Sequence, residues 1–199
     1  MRTGRLEAFS DGVLAIIITI MVLELRPPDG ASLKALGEVS TGLLTYLLSF
    51  VYVGIYWTNH HHYFALVKRV TGSVLWSNLA LLFILSLLPF TTAWMDEQHF
   101  AKVPVAIYGV NLLLAGLAFN LVFLTVRRGG GDEHLARAMA TGSFNKGTLS
   151  VALYFVGIAV TFINPWLGFA TYAGVALVWL IPDRRAEKYI AEHGPIEQD

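Results

Sequence analysis

Long uninterrupted apolar runs, not alternation, set the pattern of this chain. They cover roughly residues 8–25, 41–67, 74–94, 103–126, 148–163 and 166–181, with short polar, glycine- or proline-bearing connections between them. A helix rises about 1.5 Å per residue, so about 17–25 apolar residues are needed to cross about 30 Å of hydrocarbon. The pattern therefore predicts an all-α chain of six transmembrane helices. The last two are short and separated only by Asn164 and Pro165, a pair that reads as a tight helical hairpin turn. Pro89 is placed to kink the third. Arg2 and Arg5 ahead of the first run invite a signal-peptide reading, but polar residues interrupt the start of the run and no small-residue cleavage site follows Leu25. The first span is expected to be retained.

Composition agrees with a membrane chain. Hydrophobic residues make up 55% and charged residues only 14%, against about 25% charged in soluble domains, and mean hydropathy is +0.59. Too little polar surface remains for a soluble globule, and too much apolar surface for disorder. The absence of cysteine excludes a disulfide framework, a thiolate metal site and a cysteine nucleophile. Zero formal net charge gives no bulk attraction to nucleic acid. The whole chain, 1–199, reads as a single six-helix membrane domain ending in a charged tail, 182–199, with residues 127–147 as a loop or short surface helix. Cytoplasmic loops carry an excess of Lys and Arg. With the N-terminus inside, Arg2, Arg5, Lys68, Arg69, Arg127, Arg128, Arg137, Lys146, Arg184, Arg185 and Lys188 all fall on the cytoplasmic side, leaving Arg26, Lys34 and Lys102 outside. Both termini are therefore expected in the cytoplasm.

Polar residues within apolar spans are costly unless paired or wet. The first run opens Arg5-Leu6-Glu7-Ala8-Phe9-Ser10-Asp11-Gly12, then stays apolar except for Thr19 until Glu24. Ser10 or Asp11 could cap a helix beginning at Gly12. However, Arg5 to Ala8 are good helix formers, and a start at Gly12 leaves too short a span. Arg5 and Asp11 stand six apart, too far round a helix to pair, so each should seek a partner on another helix. Tyr56-Trp57-Thr58-Asn59-His60-His61-His62 and Trp76-Ser77-Asn78 offer donors: the imidazoles, the Asn59 and Asn78 amides and the Trp76 indole. Three consecutive histidines suggest zinc, but neighbouring helical residues point about 100° apart and cannot converge on one ion unaided.

Arg5-x-x-x-Phe9-Ser10-Asp11 at the head of the first span, continuing Gly12-Val13-Leu14-Ala15-Ile16, resembles the signature of the transmembrane protein 175 family of potassium channels, found in bacteria and in animal lysosomes. Tyr56-Trp57 with Asn59-His60-His61, and Trp76-x-Asn78 followed by Leu87-Leu88-Pro89-Phe90, are also similar to the family pattern. The resemblance implies a potassium-selective cation channel, not an enzyme, with permeant K+ and no cofactor. A chain with one six-helix unit resembles the bacterial form, which implies a homotetramer in the inner membrane. It also implies a pore lined by the first helix of each copy, with no re-entrant loop, constricted at Ile16, Thr19 or Ile20, and Leu23. Arg5, Phe9, Ser10, Asp11, His60, His61, Trp76 and Asn78 would form the signature network. No Thr-Val-Gly-Tyr-Gly filter occurs.

The residues alone support less than this. Gly12, Ile16, Ile20 and Leu23 recur at helical spacing with Thr19 beside them, a stripe that suits packing or lipid contact as well as a pore. Ile18 and Val22, on the other side, are expected to face lipid. Glu24 lies just beyond the last apolar layer, where it could draw cations to an outer mouth or simply sit solvated beside Arg26. Two other classes compete. A membrane-embedded metal-dependent enzyme would use His60–His62 with Asp11 or Asp96, but no His-x-x-x-His or Glu-x-x-His pair lies on a span. A secondary transporter would place charge at the midplane, whereas here charges gather at helix ends.

Overall fold

A computed structural model describes residues 3–64, 70–129 and 133–180, the side chains of residue 63 and of residues 133–145 excepted. Its elements are α1 (Thr3–Leu23), α2 (Leu33–Glu38), α3 (Ser40–Phe64), α4 (Gly72–Leu85), α5 (Leu88–Glu97), α6 (Lys102–Arg128), α7 (Glu133–Thr161) and α8 (Pro165–Leu180). No strand occurs among the described residues. Local chemistry sets several boundaries. The Ser32 and Thr71 hydroxyls accept from Ala35 N (3.2 Å) and Val74 N (3.4 Å) and so cap α2 and α4. Asn164 accepts from Trp166 N at 2.9 Å, with Pro165 opening α8 as the predicted hairpin turn requires.

Four segments are long and apolar enough to cross a membrane: Thr3–Leu23, Ser40–His62, Gly72–Glu97 and Lys102–Arg128. Lys146–Thr161 and Pro165–Leu180 are apolar but shorter. α1 runs without a break through Ser10 and Asp11, so neither caps a helix at Gly12. Residues 127–147 are not a loop or a short surface helix: α6 extends to Arg128, and the backbone of α7 is helical from Glu133 into the apolar run. Glu133 to Ala140 includes Leu, Arg, Met and three alanines, all strong helix formers; polarity keeps such a stretch out of hydrocarbon without breaking the helix. The expected tail 182–199, the end of the second run to 67, and Arg2, Lys68, Arg69, Arg184, Arg185 and Lys188 lie outside the described residues, as does the Arg137 side chain.

The third run is broken between α4 and α5 at Ser86 and Leu87. Pro89 has no N–H to give to the carbonyl four residues earlier; at the break Leu87 N donates to Ile84 O at 3.2 Å, and Leu88 N has no backbone acceptor. Asn111 of α6 splints the break. With its amide oriented to match its surroundings, Nδ2 donates to Ile84 O (2.9 Å) while Oδ1 accepts from Leu88 N (3.3 Å) and Thr91 Oγ1 (3.1 Å).

α6 is the central element. Val105, Tyr108, Leu112, Ala115, Phe119, Val122 and Val126 are buried at spacings of three and four. Tyr52, Tyr108 and Tyr172 are fully buried with their hydroxyls engaged: Tyr52 donates to Tyr172 O at 2.7 Å, and Tyr108 meets Ser49 at 3.0 Å, which meets Thr92 at 2.7 Å. Close helix approach at α7 and α8 depends on small residues, as is usual between membrane helices. A Cβ on Gly168 would overlap the Thr161 hydroxyl and lie 3.0 Å from the Gly157 carbonyl. Gly168→Ala is therefore expected to cost about 1–3 kcal/mol by overpacking, read as a lower melting temperature of the purified protein in detergent. Gly174→Ala, whose Cβ would meet nothing within 4 Å, should match or exceed wild type.

Candidate pore helix and its polar anchor

α1 has two unlike sides. Leu6, Ser10, Leu14, Ile17 and Met21 recur at spacings of three and four and are buried against the bundle. On the opposite side Phe9, Ile16, Ile20 and Leu23 are exposed, Ile16 at 59% and Leu23 at 81%, with Arg5, Gly12 and Thr19 also exposed. Only 28% of the α1 span is buried, against 44%, 50% and 50% of the other three. The stripe is thus not intrachain packing. The Thr19 hydroxyl donates to Ile16 O at 2.9 Å, one residue nearer than the usual i−4 back-bond, and its oxygen lone pairs remain open outward. Val22 is exposed, but Ile18 packs against the core and does not face lipid. The helix wheel puts Ile18 only one step from the buried Leu14 and Met21.

At the N-terminal end of α1 a polar relay ties three helices together. His60 Nε2 meets Asn78 Oδ1 at 2.8 Å, Asn78 Nδ2 donates to Ser10 Oγ at 2.9 Å, and the Ser10 hydroxyl donates to Leu6 O at 2.9 Å. Asn78 uses both ends of its amide, so acceptance at Oδ1 puts the imidazole proton on Nε2. All three side chains are buried, and the His60 ring stacks on Phe64 with centroids 4.1 Å apart. No buried side-chain nitrogen or oxygen among the described residues lacks a hydrogen-bond partner.

The remaining candidates lie around this relay, not in it. Asp11 does meet a donor on another helix, but it is the Trp57 indole, at 3.0 Å on the exposed edge. Trp76, expected to donate here, is 73% exposed and points away; its neighbours Ser77 and Asn78 face inward instead. Arg5, expected to find a partner on another helix, has no hydrogen bond or ion pair among the described residues. It shares the helical phase of Phe9 and Ile16 and so lies on the exposed stripe. His61 Nδ1 lies 3.4 Å from Glu7 Oε1, and Asn59 Nδ2 donates to its own helix at Ile55 O, 2.7 Å. His60 and His61 thus diverge as adjacent helical positions must. No group of three His, Cys, Asp or Glu among the described residues could hold a metal ion. Arg26 pairs with Glu97, an exposed ion pair of small energetic weight, while Glu24 and Asp96 line one shallow open hollow.

Sequence reasoning missed Trp57 and Glu7 as partners, and Asn111 as the splint. An amide inside an apolar run, opposite a proline-bearing span, was the available signal for Asn111.

An all-helical chain of apolar spans, one helix of which presents an uncovered apolar stripe and is pinned at one end by buried polar groups, has the architecture of a channel subunit. The family described as "Endosomal/lysosomal potassium channel TMEM175" matches residues 5–89, from the head of α1 through the relay to the start of α5. The chain is 49% identical over 193 residues to a potassium channel of Chryseobacterium sp. (strain P1-3), covering 97% of this chain and 100% of that protein. It is 34% identical to a potassium channel of Streptomyces collinus, covering 80% and 85% of the two chains. The crystal structure of a lysosomal potassium-selective channel TMEM175 homolog from Chamaesiphon minutus superposes with a TM-score of 0.75 at 31% identity, covering 90% of this chain and 96% of that one. The chain belongs to the TMEM175 family, a family of ion channels and not of enzymes.

Asn78→Ala should strip His60 of its acceptor and Ser10 of its donor, at about 1–3 kcal/mol for each stranded group. Trp57→Phe removes only an exposed bond. Melting curves of the two purified variants should separate them clearly; equal losses would show that the relay does not anchor α1.

Proposed function

We propose that this chain is the subunit of a potassium-selective cation channel in a bacterial inner membrane. In this reading it spans the bilayer six times, through α1, α3, α4 with α5, α6, α7 and α8, with both termini cytoplasmic and no re-entrant pore loop. Four copies place their α1 stripes around one axis. The observation that carries the proposal is the stripe itself: among the described residues Ile16, Ile20 and Leu23 lie exposed on the side of α1 turned from its buried face. Rings of these side chains make a constriction in which water and a hydrated ion find no hydrogen-bonding partner, so it conducts or closes by wetting and dewetting. Between the apolar rings, the Thr19 oxygens, with their hydrogens turned to Ile16 O, present lone pairs that can replace part of a cation's hydration shell. Glu24 and Asp96 set carboxylates at the outer end, where they raise the local cation concentration. The Ser10, Asn78 and His60 relay holds the inner end of the pore helix, where Arg5 and Phe9 lie on the exposed stripe. K+ is the permeant species, and no cofactor enters the scheme.

Purified protein in liposomes should dissipate an imposed K+ gradient without any second solute, and more readily than a Na+ gradient; a requirement for a co-transported solute would point to a transporter. Ile16→Asn and Leu23→Ser should wet the constriction, increasing resting cation flux and weakening the preference for K+ over Na+. Val22→Leu, off the stripe, should change little. If both polar substitutions leave flux and selectivity untouched in an intact oligomer, α1 does not line the path.

The chain has no native cysteine to confuse thiol labelling. A cysteine at Lys34 should therefore react with an impermeant thiol reagent outside intact cells, and one at Arg127 should not. The reverse pattern would invert the topology.

A further inference from the structure

A crevice, partly open to its surroundings, runs between α3, α6, α7 and α8, away from the α1 stripe. We infer that it binds a neutral, hydroxyl-bearing amphiphile of the kind a bilayer supplies, a medium-chain alcohol or a monoacylglycerol.

The walls select against charge. Among the described residues no Lys, Arg, His, Asp or Glu lines the crevice; Phe119, Phe123, Trp179 and the rings of Tyr52, Tyr56 and Tyr154 do. A carboxylate, phosphate or ammonium would enter without a counter-charge. Yet the walls are not merely greasy. Tyr56 is only 8% exposed, and its hydroxyl has no hydrogen bond among the described residues. Every fully buried side-chain oxygen described does have a partner, so this hydroxyl must meet open space, and the crevice is the space Tyr56 lines. Asn59 and Asn120 donate Nδ2 back to Ile55 O (2.7 Å) and Gly116 O (2.9 Å) on their own helices, which leaves both Oδ1 atoms as acceptors. Ser150, by contrast, is satisfied, accepting from the Trp179 indole at 2.7 Å and donating to Lys146 O at 2.8 Å. One phenolic donor beside two amide acceptors suits a ligand hydroxyl, which donates to an amide oxygen and accepts from Tyr56. A hydrocarbon tail then lies along the aromatic rings. Gly116 keeps the space open: a Cβ there would lie 3.7 Å from the Tyr154 ring and 3.8 Å from the Tyr56 hydroxyl, so a larger side chain would project into the void.

The test is photolabelling of the full-length protein in lipid nanodiscs with a diazirine-bearing octanol, followed by peptide mapping. Labelling of the segments around Tyr56 and Tyr154 should be saturable and displaced by excess octanol but not by octanoate. Gly116→Leu should reduce the displaceable label at least about tenfold while oligomer size and melting temperature are kept, and Val151→Phe serves as a second filling variant should Gly116→Leu fail to fold. Tyr56→Phe should weaken octanol competition by about three- to tenfold, corresponding to the loss of one hydrogen bond. Label spread without competition over the exposed helix faces, equal displacement by octanoate, or undiminished displaceable label in a folded filling variant would each overturn the inference. The readout is occupancy, not ion flux, so it stands or falls separately from the channel reading.

Discussion

Hydrocarbon offers no hydrogen bonds, and this one constraint orders the rest of the structure. Each backbone or side-chain polar group at membrane depth has to be satisfied by the protein itself. Most are satisfied trivially, by helix. The exceptions show where the chain departs from simple spans: the break before Pro89, which Asn111 splints, and the side chains of Ser10, Asn78 and His60, which satisfy one another across three helices. Both devices use asparagine, the side chain that offers donor and acceptor together on a short stem. A serine in place of either could not span the two contacts that each amide makes.

The same constraint explains what could be read from the chain. Polar residue types in apolar runs have few places to go, so Ser10, Asn78 and one histidine could be grouped before any geometry was known. Which histidine, and which indole, depended on rotational phase. His60 and His61 differ by one step on the helix, yet one is sealed against Phe64 and the other reaches Glu7 at the edge. Trp57 and Trp76 are equally aromatic and equally placed by spacing, but only packing of the whole bundle decides which one meets Asp11. Ile18 illustrates the same limit: a position one step off a buried stripe can turn either way. The charged stretch before residue 147 was misjudged for another reason, because polarity reports where a segment sits and not whether it is helical.

Within the bundle, work is divided between rigid and uncovered parts. The tyrosine hydroxyls between α3, α6, α7 and α8 and the glycine contacts of the α7 and α8 hairpin hold four helices closely. α1 stands at the edge with one side on that bundle and the other free, consistent with a helix whose second set of contacts comes from other copies.

The placement of the polar relay has a mechanical consequence. Its directional bonds grip α1 at Ser10, whereas Leu14, Ile17 and Met21 further along are held by apolar contacts that fix no direction and allow sliding. At about 1.5 Å per residue, Ile16 lies about 9 Å from that grip and Leu23 about 20 Å. α1 is therefore a lever with its fulcrum near its N-terminal end. A tilt about Ser10 carries Leu23 about twice as far as Ile16, so movement of this helix is felt most at its C-terminal end and least beside the relay.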